Sequence, residues 1–77
     1  MAWSDEPTDA QLAALANLIK WQVPYKTVAM AIDYLSERAT RQELSYELKR
    51  LRELYIDHKL TREECFNSEL WEDFDYD

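Results

Sequence analysis

The chain contains no glycine. Glycine enters left-handed backbone without a steric penalty, so its absence closes off whole classes of structure. Tight hairpin turns lean on it, as do the phosphate-cradling loop of nucleotide enzymes and the dinucleotide fingerprint. Helices must also end without the usual glycine cap. A fold of helices joined by short polar turns remains open.

Three Thr-x-x-Glu/Gln sequences mark where such helices start: Thr8 to Gln11, Thr40 to Glu43 and Thr61 to Glu64. In this capping box the Thr hydroxyl accepts from the third helical N–H, and the Glu or Gln side chain accepts from the Thr N–H. Each box is followed by apolar residues at helical spacing. A first helix is predicted over about 9–22, with Leu12, Leu15, Ala16, Ile19 and Val23 on one face. Pro24 breaks it, because the residue before a proline is pushed out of the helical region. A second helix starts near Pro24, a good first-turn residue, and ends near Arg38. Its inner stripe is Val28, Ala31, Ile32, Leu35 and Ala39, with Met30 and Tyr34 on a second side. A third is predicted over 41–57, with Leu44, Leu48, Leu51, Leu54 and Tyr55 inward. After a turn at Asp57 to Leu60, a shorter fourth is predicted over 62–72, with Phe66, Leu70 and Phe74 in line.

No segment alternates as a strand does. The expected fold is therefore all-α, a small bundle of three main helices plus a shorter C-terminal helix. It forms one domain over 1–77, with 1–7 and 73–77 fraying. The acidic N-terminal residues do not read as a signal peptide, and no apolar run approaches membrane-spanning length. One cysteine allows no internal disulfide. A reducing, cytoplasmic setting is the expectation.

Charge is segregated along the chain. The net charge is −7. Residues 1–37 carry −3, residues 38–62 carry +3 and residues 63–77 carry −7. A molecule of this sign repels nucleic acid and anionic membranes and favours a basic partner, although solubility alone accounts for much surface charge.

The residue set argues against catalysis and against a metal centre. His58 and Cys65 are each unique, and no third residue is marked to orient the histidine as a base. His58 reads as a turn residue at a helix C-terminus, and Cys65 as a small buried apolar residue. One Cys and one His are too few for zinc, and no calcium-loop pattern is present. No cofactor is expected.

Two surfaces remain as candidates. Arg41, Ser45, Lys49 and Arg52 share one flank of the third helix, over about 16 Å at 1.5 Å per residue. Glu43, Glu47, Arg50 and Asp57 occupy the other, so a solvated two-signed surface is the simpler reading. The second helix, the turn Ser36-Glu37-Arg38-Ala39-Thr40 and the third helix resemble a helix-turn-helix or winged-helix pair. In particular, Leu48-Lys49-Arg50-Leu51-Arg52-Glu53-Leu54 is similar to the second half of many recognition helices. That resemblance implies a DNA-binding regulator contacting phosphates through Arg41, Ser45, Lys49 and Arg52. It lacks the usual small turn residue and a wing hairpin. Leu48, Leu51, Leu54, Leu60, Thr61 and Glu64 are also similar in spacing to the short helical-hairpin module called SHOCT. His58 and Cys65 depart from that module, which often has Gly and an aromatic there. It implies a hairpin that associates with other elements.

The second surface is the C-terminal block, where Trp71, Glu72, Asp73, Phe74, Asp75 and Tyr76 interleave acids with aromatics. Charge in a row beside large apolar anchors suits a partner-binding element. The simpler reading returns Trp71 and Phe74 to the protein's own core. The leading expectation is a non-enzymatic acidic interaction protein that binds a basic, nucleic-acid-handling protein surface. In size and charge it is similar to small acidic inhibitors and adaptors of phages and mobile elements. The alternatives are the DNA-binding regulator and a helical oligomerisation module, a possible homodimer using exposed Trp3, Trp21 or Tyr46.

Overall fold

The computed structural model describes residues 5–75, and every described element is helical. In chain order these are α1 (Asp9–Ile19), α2 (Tyr25–Arg38), α3 (Arg41–Ile56), the single turn α4 (Arg62–Cys65) and a 3₁₀ turn (Glu69–Trp71). The closest backbone packing sets α1 against α2 and against α3.

Two capping boxes form in full. Thr8 and Gln11 exchange both bonds at 3.1 Å, and Thr40 and Glu43 do so at 2.8 and 3.1 Å. The third forms by half. Thr61 Oγ1 accepts from the Glu64 N–H at 3.2 Å, but the Glu64 carboxylate accepts from Asn67 Nδ2.

α1 ends three residues before the expected boundary. Gln22 and Val23 both donate to the Ile19 carbonyl, which closes a turn and buries Val23. Pro24 lies one position outside α2 as its N-cap, with ψ at 158° and its carbonyl accepting from the Val28 N–H. The corner between α2 and α3 is two extended residues, Ala39 and Thr40, with Ala39 buried.

α3 ends without glycine by placing His58 in left-handed backbone, φ 59°. The Lys59 N–H donates to the Leu54 carbonyl at 2.8 Å and the His58 N–H to that of Tyr55 at 3.1 Å. This is the Schellman pattern, with a histidine where glycine is usual.

The core is Leu15, Ile19, Ala31, Leu35, Leu44 and Leu51, all fully buried, extended by Leu60, Cys65, Phe66 and Trp71. The fourth helix departs furthest from expectation. It stops at Cys65, because Phe66 leaves helical geometry at φ −119°, ψ 20°. The chain then folds back through the 3₁₀ turn. A continuous helix over 62–72 would put Phe66, Leu70 and Phe74 on one face. The observed break instead packs Phe66, Trp71 and Phe74 together around Tyr34 of α2. Their ring centroids lie 4.9–5.9 Å apart, the range in which aromatic pairs attract.

Candidate functional site

A polar node holds the C-terminal segment down. Glu47 of α3 is buried, and its carboxylate is surrounded by donors. Oε1 accepts from Arg50 Nε at 3.1 Å and from Ser68 Oγ at 3.0 Å. Oε2 accepts from Arg50 Nη2 and from Trp71 Nε1, the latter at 2.7 Å. Arg50 also donates to the carbonyls of Glu64 at 2.8 Å and Cys65 at 3.2 Å, which closes the end of α4. A buried carboxylate is tolerable only when paired and hydrogen-bonded like this. Glu47 and Arg50 were expected on a solvated flank. Glu47 stands three residues after Leu44 and four before Leu51, so helical spacing itself puts it on the inner face. That periodicity was the available signal.

With the node in place, Trp71 and Phe74 turn inward. Trp71 is 3% exposed. Its apolar area therefore belongs to the fold, not to a partner, as the simpler reading held. Asp73 and Phe74, expected in a fraying end, are docked. The Asp73 N–H donates to Tyr34 Oη at 3.3 Å and its carboxylate pairs with Arg38 at 3.5 Å, while Arg38 stacks over Tyr34. Tyr76 lies outside the described residues.

The fold-back leaves the acids outside. Two shallow depressions sharing Tyr34 and Asp73 run along this side of the molecule. The first is bordered by Glu43, Glu69, Glu72 and Asp73. The second has Met30, Tyr34 and Phe74 in its lining, with Asp33, Glu37, Asp73 and Asp75 around them. Seven exposed carboxylates thus meet one exposed guanidinium, Arg38, over a partly apolar floor. Three of the acids come from α2 and α3, remote in sequence from the C-terminal block.

The basic stripe on α3 is divided. The Arg41 backbone N–H donates to the Asp5 carbonyl at 2.6 Å and its Nε to that of Glu6 at 3.2 Å. Gln11 of α1 donates through Nε2 to the Arg41 carbonyl and to Ser45 Oγ, both at 3.1 Å. Arg52 borders a depression shared with Ala10, Gln11 and Ala14 of α1. All four stripe residues are exposed, and α1 and the segment before it bond to the Arg41–Ser45 end.

His58 and Cys65 have separate settings. His58 is exposed in its turn, while Cys65 is fully buried. Burial pushes the Cys65 thiol up to about 11, against the pull of Arg50. Such a thiol is a poor nucleophile at neutral pH. Among the described residues, no group of three or more His, Cys, Asp or Glu is placed to hold a metal ion. Nor is any described helix long and apolar enough to cross a membrane. Of the aromatics expected at a self-association surface, Trp21 and Tyr46 are exposed and Trp3 lies outside the described residues. No known protein family, curated protein or solved structure matches the chain.

Proposed function

We infer that this is a non-enzymatic interaction protein whose acidic face receives a basic surface of another protein, one of the kind that handles nucleic acid. One observation carries the reading. Trp71 is buried in the core and Phe74 packs against it, while Glu69, Glu72, Asp73 and Asp75 face outward beside the acids of α2 and α3. Such a face steers a basic partner and discriminates against anionic ones. Inhibition of the partner follows if the surface it covers is the one that grips phosphates. The DNA-binding alternative has less support, because two of its four stripe residues are engaged by α1 and the segment before it.

The test is a calorimetric titration with an arginine-rich peptide at about 50 mM salt, with duplex DNA as the counter-probe. Peptide binding should weaken by about tenfold or more when Glu72, Asp73 and Asp75 are all replaced by Lys. DNA should not bind. Peptide affinity that ignores the charge reversal, or DNA binding by the intact chain, would overturn this reading.

A further inference from the structure

At the end of the molecule away from the acidic face lies a second unpartnered surface. Trp21 in the α1–α2 turn is 69% exposed, Tyr25 at the start of α2 is 86% exposed, and Ile56 at the end of α3 is 74% exposed. Tyr55 joins them, lining a depression with Gln22, His58 and Leu60 that ties the α1–α2 turn to the end of α3. Scattered single hydrophobics on a surface need no explanation, but several large ones gathered at one end do.

The charges there are opposite in balance to the rest of the chain. Residues 20–26 and 53–62 hold Lys20, Lys26, Lys59 and Arg62 against Glu53 and Asp57. Lys20 Nζ sits 5.0 Å over the Trp21 ring. The fitting complement is an acidic surface with an apolar floor. Such a surface exists on the same molecule, along the middle and second half of α2, around Met30, Tyr34, Phe74 and their ring of carboxylates. Tyr34 stands nine residues after Tyr25 on α2, about 14 Å along the helix axis.

We propose that the aromatic, basic end of one copy docks on the acidic face of the next, head to tail. The two contacting patches differ, so the association is heterologous and extends into chains instead of closing as a twofold dimer. The inference rests on the acidic face being a binding surface, as argued above. It adds that the protein is its own competitor for that face. A basic partner must displace a neighbouring copy, and self-association masks the acids when the partner is absent.

Sedimentation velocity over a range of concentrations at low salt tests this. The mean mass should rise past two copies with concentration and return to that of a monomer at about 0.5 M salt, where surface charges are screened. Replacing Trp21 and Tyr25 by Ala should abolish growth and let the arginine-rich peptide bind at least as tightly as before, with no neighbouring copy to displace, so this proposal and the one above fail separately. The decisive experiment mixes that variant with the Lys variant of Glu72, Asp73 and Asp75. The first keeps only the acidic face and the second only the aromatic end, so together they should form a pair that stops at two copies. Circular dichroism checks that both variants fold. A monomer at all concentrations, growth that stops at a dimer in the intact protein, or failure of the two variants to pair would overturn the proposal. So would binding of a single-stranded oligonucleotide that is lost with Trp21 and Tyr25, which would assign the aromatic end to stacked bases.

Discussion

The indole N–H of Trp71 donates to the carboxylate of Glu47 at 2.7 Å, across 24 positions of sequence and with both residues buried. Together with the packing of Phe66, Trp71 and Phe74 around Tyr34, this bond sets which side of the C-terminal segment faces out. Trp71→Phe removes the donor and part of the buried indole, which leaves a gap, so it should cost about 2–3 kcal/mol. Glu47→Ala leaves Arg50 without its carboxylate and Trp71 without its acceptor, and should cost about 3 kcal/mol. Urea unfolding midpoints measure both. A Glu47→Ala variant as stable as the parent would mean that the aromatic packing alone holds the segment.

His58 holds a left-handed conformation that costs a non-glycine residue about 1–2 kcal/mol. His58→Gly relieves that cost, partly offset by the greater freedom of glycine in the unfolded chain. The net expectation is a gain of about 0.5–1 kcal/mol, seen as a higher denaturant midpoint with unchanged slope. Loss of stability would show that the imidazole makes a compensating contact.

Gln11 serves two helices at once. Its Oε1 completes the cap of α1, and its Nε2 donates to Arg41 O and Ser45 Oγ at the start of α3. Gln11→Glu keeps an acceptor for the cap and loses both donors. It should cost about 1 kcal/mol, and Gln11→Ala about 2 kcal/mol, because both functions go. Equal losses would mean that only the two donors to α3 matter and the cap adds nothing.

Cys65 titrates far above neutrality because it is buried, at about 11 against an ordinary 9.0. In the folded state it holds its proton more tightly than in the unfolded chain. The associated stability is therefore complete below about pH 9 and declines as pH rises toward 11. Over that window the thermal midpoint of the parent should fall more steeply than that of Cys65→Ala, whose overall stability is lower for the cavity it leaves. Iodoacetamide should label Cys65 slowly in the native protein at pH 8 and fast in urea. Rapid native labelling would contradict its burial.

The three long helices were legible because their signals are local. A Thr followed by Gln11 or Glu43, and leucines at helical spacing, state a helix and its inner face within a few turns of chain. Even the buried Glu47 follows the leucine period and was misplaced only because its charge outweighed its position. The acidic face was half legible. Glu69, Glu72, Asp73 and Asp75 stand out in a row, but Asp33, Glu37 and Glu43 join them only by folding.

The sequence by itself determined an all-helical chain, the starts of α1 and α3, and an excess of acid at one end. Those features depend on propensity, spacing and charge along neighbouring residues. Tertiary structure alone decided that α4 stops after one turn, that Trp71 belongs to the core, and that Arg41 and Ser45 are tied to the start of the chain and to α1. Each of these turns on a contact between residues far apart in sequence. The aromatic cluster and the Glu47 node stabilise the fold-back more than further helical turns would, and nothing local to residues 66–75 reports where Tyr34 and Glu47 will stand.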